Sequence, residues 1–297
     1  MPAAQPQRLL VTGGRGRLAA LIADYFRSAG GEVELYSREA GAGFNALSDL
    51  VQPGYLRVSD LVLHLAWSTL PATSEKDPGQ EQRQDLPLLE TLLSVSATAG
   101  AHFVFFSSGG AVYGNAPGRP SREDDSCHPI GCYGRAKLAA ESLVEKTAAG
   151  HGLPCTILRI SNPYGYPVPS GRVQGVIPHA IRCALENQAL TLWGDGHARK
   201  DFLHHTDFLA ALSGIISRRL TGRYNLCNGD SHSVHELIEL VEKHTGRKIL
   251  TRQIEAPAWD VQDSRLDHHR LSAATGWQPL VSLDEGIRRA VSDYARA

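Results

Sequence analysis

The sequence predicts an α/β protein, a doubly wound parallel sheet of the Rossmann type followed by a smaller C-terminal α/β lobe. Three observations point there. Short apolar runs alternate with helix-period stretches through the first half of the chain, as repeated β-α-β units require. The first of these runs ends on a glycine cluster, Gly13-Gly14-Arg15-Gly16. At 297 residues there is room for a second, smaller lobe beyond the sheet.

Taken in order, Leu9 to Val11 reads as a buried strand and meets the glycines at once. A helical pattern follows, with Leu18, Leu21, Ile22, Tyr25 and Phe26 on one face. Gly13 permits the turn, and Gly16 lets the backbone approach a pyrophosphate seated on the helix N-terminus. Ala19 takes the third small position and still allows helix and strand to pack closely. The turn from Gly13 through Gly14, Arg15, Gly16, Arg17 and Leu18 is therefore the candidate phosphate cradle of a dinucleotide.

Glu32 to Tyr36 reads as the second strand. An acidic residue is usual at its tip, about 20 residues beyond the glycines, to hold the adenosine ribose. Ser37 stands there instead, with Arg38 next to it and Arg15 inside the turn. A missing carboxylate and two guanidiniums suit a 2′-phosphate, so NADP is expected over NAD.

Gly41 to Tyr55 is short of apolar residues and predicts a loop with one brief strand around Phe44. Leu61 to Ala66 is a buried strand running into Trp67-Ser68. Thr69 to Gln84 is polar, holds Pro71, Pro78 and Gly79, and predicts a flexible crossing. A helix with Leu86, Leu89, Leu92, Leu93 and Val95 ends near Gly100. His102 to Phe106 is the next buried strand, running into Ser107-Ser108-Gly109-Gly110. Ligands in such sheets sit beyond the carboxyl ends of the strands, here Thr12-Gly13, Ala66-Trp67 and Ser107-Ser108.

Tyr133-Gly-Arg-Ala-Lys137 opens a later helix, and tyrosine and lysine four apart share one face. An ammonium beside a phenol favours the phenolate and is expected to pull Tyr133 below its free value of about 10. Such a pair exchanges a proton with an alcohol while hydride passes to or from a nicotinamide.

Composition excludes other classes. A net charge of −1 gives no bulk attraction to nucleic acid or anionic lipid. No apolar run approaches the roughly 20 residues that span a bilayer. Met1 to Gln7 lacks the apolar core of a signal peptide and reads as a frayed tail. The five cysteines form no C-x-x-C pair, which suits reduced thiols and a cytoplasmic location. The thirteen histidines include the adjacent pairs His204-His205 and His268-His269, not a metal-ligand spacing, so no metal is expected.

Several motifs stand in order: Thr12-Gly13-Gly14-x-Gly16, His64-Leu-Ala, Ser107-Ser108-Gly-Gly-x-Val112-Tyr113-Gly114 and Tyr133-x-x-x-Lys137. Further on come Asn162-Pro163-Tyr164-Gly165, Trp193-Gly194-Asp195-Gly196, Asp201-Phe202-Leu203-His204 and Gly276-Trp277-x-Pro279. Together they resemble the extended short-chain dehydrogenase/reductases, and within them the nucleotide-sugar epimerase/dehydratase branch.

The resemblance implies Tyr133 as acid/base, with Lys137 tuning it and contacting the nicotinamide ribose. It places Asn45 near the adenine, has Ala66 and Trp67 wall the cofactor, and adds Ser107 to the cofactor site. Asn162 would reach a substrate diphosphate, with Ser108, Gly109, Lys200 and Trp193 also on the substrate side. It further implies a homodimer and a nucleoside-diphosphate sugar as substrate. The cofactor domain would span 1–165, with 201–225 returning to it, and the substrate lobe 166–200 and 226–297.

The departures are specific. Gly109 stands where the third catalytic hydroxyl belongs, so Ser108 is assigned that role. Lys200 and Pro257 replace two diphosphate arginines, and Gly110-Ala111 replaces the acid pair of dehydratases. The expected function is a sugar C4 epimerase working by transient hydride transfer. The alternatives are an NADPH-dependent ketoreductase of a 4-keto sugar nucleotide or other carbonyl compound, and a non-catalytic NADP-binding redox regulator. The last has no use for Tyr133 and Lys137.

Overall fold

The structure, a computed structural model, describes residues 8–116, 118–166 and 175–294; the tail expected at 1–7 lies outside them. From the N-terminus run β1 (Arg8–Thr12), α1 (Arg17–Ser28), β2 (Glu32–Ser37), β3 (Asn45–Ala46), α2 (Leu47–Leu50) and β4 (Leu61–His64). Then come α3 (Pro71–Ser74), α4 (Gln80–Ala99), β5 (His102–Ser108), α5 (Gly109–Val112), α6 (Cys132–His151) and β6 (Cys155–Ile160). The second half holds β7 (Asn162–Tyr164), α7 (Val176–Glu186), β8 (Leu190–Trp193), β9 (Arg199–His204), α8 (His205–Ser217) and β10 (Gly222–Leu226). It closes with β11 (Ser231–Ser233), α9 (Val234–Thr245), β12 (Thr251–Ile254), β13 (Asp263–Ser264), α10 (His269–Thr275) and α11 (Leu283–Tyr294).

The apolar runs form a seven-stranded sheet in the order β10-β6-β5-β4-β1-β2-β3. The strands β3, β2, β1, β4 and β5 run parallel, with Val11 facing Leu35 on one side and Leu63 on the other. The order reverses direction after β3, returning past β1 to β4, which makes the sheet doubly wound. Strands buried on both faces read as continuous apolar runs, which is why Leu61–His64 and His102–Phe106 are so plain in the sequence. Leu89, Leu92 and Leu93 of α4 and Val144 of α6 pack on Val62, Phe103 and Phe105.

The chain divides into two compact units. The first is Met1–Ser108, Gly131–Arg159 and Ile215–Tyr224; the second is Gly109–Ile130, Ile160–Gly214 and Asn225–Ala297. Residues 201–214 thus group with the second unit, and 215–224 with the first. In the second unit β9 pairs with β11, β13 and β7, while β8 and β12 form a separate parallel pair. Its core joins Ile177 and Ile181 of α7, Leu237 and Val241 of α9, and Leu283 and Ile287 of α11.

Two stretches differ from the sequence reading. The loop expected over Gly41–Tyr55 has its one brief strand as β3 at Asn45–Ala46, beside Phe44, and differs in adding the helix α2. Leu47 and Leu50 are buried, and Asp49 accepts a hydrogen bond from Ala46 N at 3.1 Å. One turn is too short for a helical period to register. The crossing expected over Thr69–Gln84 contains α3, with Pro71 in its first turn, and the start of α4. No helix of the described residues is long and apolar enough to cross a membrane.

Candidate functional site

The first unit carries the glycine cradle. Gly13 has φ +72°, and a Cβ on it would lie 2.9 Å from Ala66 N. The turn after β1 is therefore pressed against the end of β4, and only glycine fits. A Cβ on Gly14 would meet Leu35 Cβ at 2.9 Å, and Gly16 N closes the turn on Gly13 O at 2.8 Å. Thr12 Oγ1 ties the same two strand ends, accepting from Ala66 N at 3.1 Å and meeting His64 Nδ1 at 2.9 Å. Burial, helped by the Lys137 charge, pushes His64 down to about 3, so its ring is neutral at neutral pH.

The twelve-residue helix α1 begins at Arg17, so its unpaired N–H groups face this turn. Arg17 Nη1 is buried there without a hydrogen-bond partner among the described residues, and Leu18 is partly buried. A bare-backbone cradle, a helix N-terminus and an orphaned guanidinium nitrogen fit the pyrophosphate of a dinucleotide.

At the end of β2, Ser37 is buried and Arg15 Nε reaches its hydroxyl at 3.4 Å. Arg38 is exposed and donates to Gln84 Oε1 at 3.1 Å. Among the described residues neither Arg15 nor Arg38 joins an ion pair, although the chain has many. Asn45 Nδ2 is held by Glu34 Oε2 at 3.1 Å, inside a cluster with Tyr36, Tyr55 and Arg8.

Tyr133 and Lys137 lie in the first two turns of α6. Tyr133 is partly exposed, and its hydroxyl has no hydrogen-bond partner among the described residues. Lys137 is 4% exposed; its Nζ donates to Phe106 O at 2.9 Å and lies 3.7 Å from the centre of the Trp67 ring. Burial brings its pKa from an ordinary 10.5 down to about 7, against the pull of Asp85, Glu141 and Glu81. The folded chain therefore binds fewer protons than the unfolded chain between about pH 7 and 10.5, and the cost of burying this lysine falls as pH rises through that window.

One expectation is corrected here. Lys137 was expected to pull Tyr133 down, but burial, with the charges of Glu81 and Asp85, pushes Tyr133 up. Glu81 comes from the stretch read as a polar crossing, and Asp85 directly follows it. Both are buried: Asp85 accepts from Ser68 N at 2.9 Å and Ser68 Oγ at 2.6 Å, and Glu81 accepts from Thr69 Oγ1 at 2.5 Å.

Ser107 and Ser108 end β5 with different roles. Ser107 Oγ donates to Glu141 Oε1 at 2.5 Å, which commits it to the buried Glu141–Arg159 pair. Ser108 is partly exposed and its hydroxyl has no partner among the described residues, so it is the available one of the two.

In the second unit Gly109 is buried at the start of α5. Asn162 Nδ2 donates to Asp201 O at 2.8 Å. A cavity of about 540 Å³ is lined by Asn162, Tyr166, Leu192, Trp193, Lys200 and Asp260, among others. Lys200 Nζ is paired with Asp260 Oδ1 at 2.9 Å, so its charge is largely answered inside the protein. Trp193 is half-exposed and meets Trp259 edge-on at 5.1 Å. Among the described residues no group of three His, Cys, Asp or Glu side chains is placed to hold a metal ion.

A doubly wound sheet with a glycine cradle at its first strand end and a tyrosine-lysine helix beside it defines a nicotinamide-dependent oxidoreductase of the extended short-chain type. The model of the NAD dependent epimerase/dehydratase family matches residues 9–227, and the chain belongs to that family. It is 26% identical to UDP-glucuronic acid decarboxylase 1 of Danio rerio, over 98% of this chain and 73% of that one. It is 29% identical to GDP-6-deoxy-D-mannose reductase of Pseudomonas aeruginosa, over 97% of each. Its structure is similar to that of UDP-glucose 4-epimerase of Thermotoga maritima with UDP-glucose: TM-score 0.88, 27% identity, covering 97% of this chain and 99% of the other.

Proposed function

We propose that the protein is an NADP-dependent C4 epimerase of a nucleotide sugar. The observation that carries the reading is Tyr133: a free phenol on α6, with the Lys137 ammonium one helical turn on and the glycine cradle in the same unit. Its likeness to a UDP-glucose 4-epimerase over nearly the whole chain supports the choice of C4. Gly13, Gly14, Gly16, Arg17 and the N-terminus of α1 would hold the pyrophosphate, and Lys137 the nicotinamide ribose. The bound cofactor supplies the acceptor for a hydride and then the donor that returns it.

Tyr133 takes the C4 hydroxyl proton as the carbon loses hydride, and returns a proton when hydride arrives on the other face. Burial, with the charges of Glu81 and Asp85, opposes ionisation of Tyr133. Ser108 is the remaining hydroxyl that could hold the sugar oxygen. In this role Ser108→Ala lowers turnover less than loss of the Tyr133 hydroxyl.

The choice of NADP rests on Arg15 and Arg38, two guanidiniums without carboxylate partners flanking Ser37. A charge-assisted hydrogen bond of this kind contributes roughly 1.5–3 kcal/mol. Arg38→Ala and Arg15→Ala should each weaken NADP by about tenfold to 150-fold and leave NAD nearly unchanged in titration calorimetry. Equal affinity of the wild type for both nucleotides would contradict the assignment.

The same two arginines favour a second reading, a reductase that exchanges NADP for NADPH at every turnover. Incubation with UDP-glucose, UDP-galactose and their N-acetyl forms, followed by NMR, separates the two. Interconversion without net change in reduced nicotinamide is the epimerase result. No interconversion, with steady NADPH oxidation on a 4-keto sugar nucleotide, supports the reductase instead.

A further inference from the structure

We propose that Trp67 is a positioning residue for Lys137: its indole face holds the ammonium in place, and α4 fixes the indole by gripping the two residues that follow it. The inference rests on the reading of Tyr133 and Lys137 as the proton-handling pair.

The geometry is specific. Lys137 Nζ lies 3.7 Å from the Trp67 ring centre, 4.9 Å from that of Phe105 and 5.9 Å from that of Tyr133. A desolvated ammonium against aromatic faces is held more strongly than one in water, and tryptophan offers the most favourable face. Among the described residues Lys137 makes one hydrogen bond, to Phe106 O, so the rings take the place of further acceptors. Trp67 Nε1 is buried with no partner among them. The indole packs against the apolar core, with Phe105 at 6.1 Å between rings, and against the lysine.

The loop that carries Trp67 is pinned from α4. Asp85 takes both the N–H and the hydroxyl of Ser68, the next residue, and Glu81 takes the hydroxyl of Thr69. Glu81 and Asp85 are one helical turn apart, so one face of α4 clamps two successive residues. The same carboxylates add negative charge near Lys137. The groups acting on it are thus Asp85 and Glu81 from α4, Glu141 and Tyr133 from its own helix, and the neutral His64 from β4. The ring and the carboxylates favour the ammonium; burial opposes it.

The experiment follows Lys137 Nζ by nitrogen-15 NMR across pH in the full chain, with Lys137→Arg to assign the signal. Trp67→Leu should lower the titration midpoint by about one pH unit, and Trp67→Phe should return most of it. Trp67→Met, a longer unbranched side chain without an aromatic face, should lower it too and serves if Trp67→Leu does not fold. A midpoint that Trp67→Leu or Trp67→Met leaves at the wild-type value overturns the proposal, even if turnover falls. The pH dependence of kcat tests the underlying reading separately: if the midpoint moves and kcat does not follow it, Trp67 holds the ammonium but the proton chemistry lies elsewhere.

Discussion

Tyr133→Phe should lower turnover by about 100-fold to 10,000-fold, the range for a positioned acid/base, while leaving the affinity for the nicotinamide cofactor unchanged. The substitution removes only a hydroxyl with no hydrogen-bond partner among the described residues, so none of their polar groups loses a partner. Thermal stability should therefore change little. That separation is the point of the test: a large loss of rate without loss of fold or cofactor affinity belongs to chemistry. Turnover within about tenfold of the wild type would remove Tyr133 from the mechanism.

Glu141→Ala should destabilise the fold by about 3–5 kcal/mol, the cost of breaking a buried ion pair from one side. Glu141 and Arg159 are each 1% exposed at the side chain. Arg159 donates to the carboxylate through Nε at 3.0 and 3.1 Å and through Nη2 at 2.6 Å, and Ser107 adds a fourth bond. These contacts join α6 to the ends of β5 and β6, and so set the helix that carries Tyr133 and Lys137. Without the carboxylate the buried Arg159 guanidinium loses its Glu141 partner. Replacing both partners by methionine should cost much less, because no charge then remains buried. Urea unfolding reads both results from the midpoint at unchanged slope. A loss under about 1 kcal/mol for Glu141→Ala would mean that water reaches Arg159.

Much of the fold was legible because the buried strands are written as apolar runs and the turns as glycines. Gly13 is the clearest case: its positive φ and its contact with Ala66 N both demand glycine, and the cluster it belongs to marks the cradle. The spacing of Tyr133 and Lys137 was legible too, since a helix puts residues four apart on one face. What stayed hidden depends on partners far along the chain. Glu81 and Asp85 look like solvent-facing charges in a polar stretch; their burial depends on hydroxyls at Ser68 and Thr69 and on α6 beside them. Burial, with their charge added to it, pushes Tyr133 up where the lysine alone predicts a fall. Ser107 looks like a free hydroxyl at a strand end, until Glu141 arrives 34 residues later. Lys200 looks like a phosphate ligand, until Asp260 pairs with it 60 residues on. The short helices α2 and α3 escaped because one turn carries no period to read.

The central claim is that hydride leaves C4 of a nucleotide sugar and returns to the same carbon, with the proton handled by Tyr133. The most direct measurement uses UDP-galactose labelled with deuterium at C4, incubated with the protein and followed by NMR. The account predicts UDP-glucose that keeps the deuterium at C4, with no label in water and none in released nucleotide. Deuterium lost to water, or carried off in free reduced nicotinamide, would contradict it.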